Sequence, residues 1–106
     1  MTGLAERTYK LLKTVPPGRV TTYKALARAL GTTGYRAIGQ IMKKNPDAPQ
    51  TPCHRVDRSD GRLGGFMGKT KGEQVERKRQ LLLSEGVNIA GDRVVDFEKV
   101  KWEFNL

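Results

Sequence analysis

Cysteine and histidine are nearly absent: the 106 residues contain one of each, and the two are adjacent, Cys53-His54. A lone cysteine cannot close an internal disulfide, which suits a reducing compartment. One Cys and one His also fall short of the four ligands of a structural zinc site, so no metal is expected. No apolar run approaches the roughly 18 residues of a membrane span. The N-terminal stretch Met1–Arg7 lacks the apolar segment of a secretory signal. A cytoplasmic protein is therefore expected, nucleoid-associated in a prokaryote or nuclear in a eukaryote. No internal repeat, low-complexity tract or block of five like charges interrupts the chain. The length predicts one domain over residues 1–106, with 91–106 as a tail packed on it.

What is abundant is positive charge. Twenty Lys and Arg stand against eleven Asp and Glu, a net charge of +9. Such an excess on a small chain points to a polyanionic partner, nucleic acid first. A cysteine hydrolase would have no use for it.

Leu4, Thr8, Leu11, Leu12 and Val15 recur at helical spacing and predict a helix over Leu4–Thr14. Val15-Pro16-Pro17-Gly18 ends it. Thr22 fits the N-cap of a second helix, Tyr23–Leu30, and Gly31 fits its C-terminal stop. After a short turn, a third helix runs over Tyr35–Lys44, with Ala37, Ile38, Ile41 and Met42 inward and Gly39 at its centre. A mid-helix glycine costs up to about 1 kcal/mol against alanine, and close approach of another backbone, in the protein or in DNA, would compensate. Two short helices around a tight glycine-containing turn read as a helix-turn-helix. Further on, Val56 starts a short strand and Asp57-Arg58 reads as surface. A fourth helix covers Gly72–Ser84, with Val75, Leu82 and Leu83 inward, a Glu73-Arg77 pair outside, and Gly86 as its stop. In the tail, Val95, Phe97, Val100 and Trp102 read as the edge of the core. The fold class is mainly α: a winged helix-turn-helix-like domain with a short β element.

Between the third helix and Val56 lies Asn45-Pro46-Asp47-Ala48-Pro49-Gln50-Thr51-Pro52, too rich in proline for regular structure. It delivers Cys53-His54. A thiolate is a nucleophile where a thiol is not, and imidazole is suited to take the thiol proton near neutral pH. The alternative is a small buried cysteine of no chemical consequence.

These blocks resemble the O6-alkylguanine-DNA alkyltransferases and the related alkyltransferase-like proteins. The resemblance rests on Pro52-Cys53-His54-Arg55-Val56 and on Tyr35-Arg36-Ala37-Ile38-Gly39-Gln40-Ile41-Met42-Lys43-Lys44-Asn45-Pro46. It extends to Gly18-Arg19-Val20-Thr21-Thr22-Tyr23 and to Leu82-Leu83-Ser84-Glu85-Gly86-Val87. It implies a Cys53, His54 and Glu85 triad, with Tyr23 protonating the leaving guanine and helping to push the target nucleotide out. It implies Arg36 as a finger filling the vacated base stack, on a DNA-facing set of Tyr23, Thr22, Arg36, Ala37, Gln40 and Lys43 that works in the minor groove. The substrate pocket it implies comprises Asn45, Pro52, Val56, Gly65, Phe66 and Met67, with Asn45 tying the third helix to the cysteine loop. The sequence departs from the family pattern at Thr51, where an aliphatic residue is usual, and at Phe66 and Met67, where Tyr and Ser are common.

The activity this implies is DNA repair by single-turnover transfer of an alkyl group from O6-alkylguanine in double-stranded DNA to Cys53. It requires no cofactor, and the resemblance implies a monomer, with cooperative binding and a repair-protein partner left open. The competing reading is an alkyltransferase-like lesion binder that recruits other factors, although such proteins replace the cysteine, commonly by Trp. A basic helix-turn-helix regulator with an inert thiol is a further alternative.

Overall fold

The computed structural model describes residues 3–65 and 72–104. Its helices are α1 (Leu4–Leu12), α2 (Tyr23–Leu30), α3 (Tyr35–Lys43), α4 (Glu73–Ser84) and α5 (Phe97–Val100). Its strands are β1 (Thr21–Thr22), β2 (Val56–Asp57), β3 (Ile89–Ala90) and β4 (Arg93–Val94), and one 3-10 turn spans Cys53–Arg55. The mainly helical, winged helix-turn-helix-like class is what the sequence predicts.

Helices α1, α2 and α3 pack through the apolar stripes read from their spacing. Leu12, Val15, Leu26, Ala27, Ile38 and Met42 form one core, which also takes in Cys53 and Val56. The caps follow the sequence. Thr22 Oγ1 accepts the Ala25 N–H at 2.9 Å, and Gly31 closes α2 in the left-handed region at φ 73°. The first helix also buries Thr8, whose hydroxyl donates to the Leu4 carbonyl at 2.7 Å.

A second core gathers Val20, Leu63, Leu82, Val87 and Val94 beneath α4. The C-terminal residues are built into it. Strands β3 and β4 pair antiparallel, Ile89 with Val94 and Ala90 with Arg93. The Val94 N–H donates to the Gly61 carbonyl at 2.9 Å, and the Leu63 N–H to the Asp92 carbonyl at 2.8 Å. The segment after α5 runs alongside Val20: the Val20 N–H donates to Val100 O at 3.1 Å, and the Trp102 N–H to Val20 O at 2.6 Å. Arg19 adds Nε and Nη2 hydrogen bonds to the Val100 and Lys101 carbonyls, each at 2.9 Å.

Several side chains lie elsewhere than the sequence suggests. Ala37 and Leu83 are exposed, because each sits beside the buried residue of its helix (Ile38, Leu82) rather than on the buried stripe. Val95 is exposed as well, one position past the inward Val94 of β4. Asp57 is fully buried rather than on the surface, since β2 is a covered strand and Lys78 reaches it from α4. Glu73 and Arg77 form no ion pair among the described residues; Glu76 pairs with Arg79 at 3.4 Å instead.

Candidate active site

The strand pairing sets the geometry of the site. Strands β1 and β2 run parallel, with Thr21 opposite Val56 and Thr22 opposite Asp57. Tyr23 follows β1 directly and the Cys53 turn precedes β2 directly, so one short ladder fixes the start of α2 against the cysteine. Tyr23 packs on the same core that holds Cys53.

The loop before the cysteine is stiffened by side chains. Asn45 Nδ2 donates to the Thr51 carbonyl at 2.8 Å, and Asn45 Oδ1 accepts the Asp47 N–H at 3.0 Å. Asn45 thus joins the end of α3 to the residue two before Cys53. Thr51, the departure noted above, is buried, and its hydroxyl donates to Asp47 Oδ2 at 3.1 Å. The polar group is satisfied within the loop, so the site tolerates it.

Cys53 is 4% exposed and His54 is fully buried. His54 Nε2 lies 2.9 Å from Glu85 Oε2. Arg55 grips the same carboxylate, Nε to Oε1 at 2.9 Å and Nη2 to Oε2 at 2.6 Å, and its Nη1 donates to the Val15 carbonyl at 2.8 Å. Burial pushes the Glu85 carboxyl up, but hydrogen bonds from Arg55 and His54 outweigh it and hold Glu85 below the usual carboxylate range. An ionised Glu85 only accepts, so the proton of neutral His54 belongs on Nε2. Nδ1 then carries the lone pair. It is buried and has no hydrogen-bond partner among the described residues. Burial lowers the His54 pKa despite Glu85, which favours that neutral form. Burial likewise pushes the Cys53 thiol up, against a lowering hydrogen bond from Asn45 and the Lys78 charge. Cys53 therefore rests as a thiol next to a neutral His54 imidazole. Tyr23 is pushed up to about 12 by burial and by the nearby Asp57 and Cys53 charges, so its hydroxyl keeps its proton.

The remaining predicted residues fall into two groups. Arg36, Ala37, Gln40 and Lys43 are exposed on α3, and Tyr35 beside them is 49% exposed. A Cβ at Gly39 would meet nothing within 4 Å, so the glycine makes no close contact with its own chain. Thr22 is buried, with its hydroxyl engaged as the α2 cap. Pro52 and Val56 are buried around the cysteine and Gly65 is half-buried, while Phe66 and Met67 lie outside the described residues.

Lys78 was missed. It is fully buried, and its Nζ reaches Asp57 Oδ1 at 2.9 Å, the Val56 carbonyl at 2.7 Å, the Leu63 carbonyl and, at 3.4 Å, the Gly65 carbonyl. It ties α4 to the strand after the cysteine and to the backbone leading toward Phe66. Burial pushes Asp57 up to about 6, with Lys78 opposing.

The chain has counterparts among known proteins. The family model for 6-O-methylguanine DNA methyltransferase, DNA binding domain, matches residues 3–87. A methylated-DNA–protein-cysteine methyltransferase of Pyrobaculum aerophilum is 47% identical over 79 residues, 74% of this chain and 49% of that protein. The chain thus spans about half the length of this methyltransferase relative. A DNA base-flipping protein of Escherichia coli (strain K12) is 30% identical over 100 residues, 93% of this chain and 74% of that protein. S. pombe Atl1, solved in complex with damaged DNA containing O6-carboxymethylguanine, superposes with a TM-score of 0.80 at 27% identity, covering 93% of this chain and 94% of that one. With the family model matched across four of its five helices and the Cys53 turn, the chain belongs to the 6-O-methylguanine DNA methyltransferase DNA-binding-domain family, a family of DNA repair.

Proposed function

We propose that this chain binds duplex DNA, turns an O6-alkylated guanine out of the stack and takes the alkyl group onto Cys53 in a single turnover. The observation that carries this reading is the retained cysteine beside a histidine held at 2.9 Å by Glu85. His54 Nδ1, lone pair inward, accepts the Cys53 proton directly or through one water. The imidazolium so formed is stabilised by Glu85. The Sγ anion attacks the alkyl carbon; the S–C bond forms as the C–O6 bond breaks, and the electron pair leaves on O6 of guanine. Tyr23, a protonated phenol, relays a proton to the leaving guanine and is reprotonated by the proton that His54 took from Cys53, so that guanine, Tyr23 and His54 all end neutral. The product is a thioether. Nothing in this chemistry returns the thiol, so each chain reacts once.

The DNA-facing role falls to α3. Arg36 fills the space left by the flipped base, and the open surface at Gly39 lets α3 approach the duplex closely. The net charge of +9 supplies the phosphate attraction.

A second reading has a specific observation in its favour. S. pombe Atl1, solved in complex with damaged DNA, superposes on this chain with a TM-score of 0.80. The chain would then hold a lesion without removing the alkyl group. Intact mass after incubation with duplex carrying O6-methylguanine separates the two. Transfer adds one methylene unit to wild type, mapped to Cys53, at one per chain, and none to Cys53→Ser. Tight lesion binding with unchanged mass overturns transfer and leaves the lesion binder.

A further inference from the structure

A cavity of about 460 Å³ adjoins the site, sharing Tyr23 and Gly65 with it and extending away from Cys53. Tyr23 forms one wall, and Leu63 and Val75 supply apolar surface. Arg58, Arg62 and Arg79 also line it, from a turn and from α4, with Asp92 the one acidic residue among the described lining residues.

The three arginines are not equivalent. Arg79 is engaged: Nη2 donates to the Gly91 carbonyl at 2.6 Å, and Nε lies 3.4 Å from Glu76. Arg62 faces Asp60 at 3.6 Å. Arg58 has no ion pair and no side-chain hydrogen bond among the described residues. It is nevertheless held in place. Its backbone N–H donates to Arg62 O at 2.9 Å and its carbonyl accepts the Gly61 N–H at 3.0 Å, which closes the turn. Its stem lies on Gly64, where an added Cβ would stand 3.2 Å from Arg58 Cγ. Gly64 itself has φ +68°, so a side chain there would be both strained and in the way. A stem lying on Gly64, with a guanidinium that is exposed and hydrogen-bonded to nothing among the described residues, leaves Arg58 available to an oxyanion.

Its place in the chain indicates what that oxyanion belongs to. Arg58 follows β2 directly, and β2 pairs with the strand leading into Tyr23. Cys53 is not part of the cavity lining; Tyr23 is common to the cavity and to the site. A nucleotide swung past Tyr23 toward Cys53 would bring its own strand to this opening. We infer that the cavity receives an oxyanion carried by the lesion strand, with Arg58 as its primary counter-ion: a backbone phosphate beside the flipped nucleotide, or a carboxylate on its O6 substituent. The inference rests on the reading that Cys53 receives O6-alkylguanine.

The test measures equilibrium binding of wild type, Arg58→Ala and the charge-matched control Lys99→Ala to four duplexes. They carry unmodified guanine, O6-methylguanine, O6-methylguanine with a neutral methylphosphonate on the 3′ side of the lesion, and O6-carboxymethylguanine. Loss of a charge-assisted contact weakens binding roughly tenfold. If the oxyanion is the phosphate, Arg58→Ala weakens the O6-methylguanine duplex by about that factor beyond Lys99→Ala, and the methylphosphonate erases the difference. If it is the substituent, only the O6-carboxymethylguanine duplex shows the excess loss. Equal effects of Arg58→Ala and Lys99→Ala on every lesion duplex, with wild type still preferring lesions, overturn the inference alone. Wild type that does not prefer any lesion over guanine overturns the underlying reading and this inference with it.

Discussion

Two buried ionic clusters draw on the same two stretches of chain, the Cys53 turn with β2 and α4 with its end, and are built in different ways. In one, His54 and Arg55 share Glu85; the histidine is sealed, the carboxylate is 15% exposed, and Nδ1 is left without a partner among the described residues. In the other, Asp57 and Lys78 are both fully buried, and the ammonium is surrounded by a carboxylate and three backbone carbonyls. The first cluster has an atom free to take a proton. In the second, the Lys78 donors go to backbone carbonyls, and Asp57 meets only the ammonium at 2.9 Å, with no further hydrogen-bond partner on either oxygen among the described residues. The difference lies in what each cluster leaves unpartnered: in the first it is an imidazole nitrogen of the residue next to Cys53, whereas in the second the ammonium is held by three carbonyls and ties chain segments together.

The largest effect is expected from breaking the second cluster. Lys78→Met keeps the length of the stem but removes every donor, stranding a buried carboxylate and three carbonyls. Loss of one partner of a buried pair typically costs about 3–5 kcal/mol. Urea denaturation of wild type and Lys78→Met should show a loss in that range. Adding Asp57→Val restores only part of it, because the Val56, Leu63 and Gly65 carbonyls still lack a donor. Full recovery in the double variant would mean that the backbone contacts of Lys78 contribute nothing.

The same comparison explains what was legible in the sequence. Helices α1, α2 and α3 were, because each carries an apolar stripe, and for α2 a Thr22 cap and a Gly31 stop besides. The first cluster was legible only through the resemblance: Glu85 stands 31 residues from His54, and nothing local marks the pair. The second cluster was not legible at all. Lys78 sits within Glu76-Arg77-Lys78-Arg79-Gln80, where every residue is polar and nothing in the pattern singles out the buried one. Asp57 next to Arg58 looks like surface until its strand is covered. The β3–β4 hairpin did leave a signal, Gly91-Asp92 between Ile89-Ala90 and Arg93-Val94, the two-residue connection of a tight turn. At two residues per strand it is too short to stand out from a loop.

A smaller effect is expected from the first cluster. Glu85→Gln is nearly isosteric, but it turns one acceptor oxygen into an NH2 donor and removes the charge that both His54 and Arg55 face. Hydrogen bonds to a charged group contribute about 1.5–3 kcal/mol, so stability should fall by no more than that, less than for Lys78→Met. Transfer should fall far more, since the imidazolium loses its counter-charge. A variant that folds less stably yet alkylates at the wild-type rate would place Glu85 with the scaffold rather than with the chemistry.

The clusters should also respond to acid with opposite sign. Glu85 is held below its ordinary 4.5 and His54 below its ordinary 6.5. In both, the unfolded chain binds protons more readily, so their contribution to stability is present at neutral pH and lost as pH falls through 6.5 and then 4.5. Asp57 is raised from 3.8 to about 6, so between those values the folded chain binds the extra proton. Its contribution grows as pH falls from about 6 toward 3.8 and is absent above that window. Stability of wild type should therefore decline only shallowly between pH 6 and 4, with the clusters partly offsetting each other. Asp57→Asn removes the term that rises with acid and should steepen the decline, by at most about 1.4 kcal/mol per pH unit, the slope for one proton. Denaturation midpoints of the two proteins at pH 4, 5, 6 and 7 test this directly. Parallel curves would mean that Asp57 stays ionised against Lys78 throughout this range.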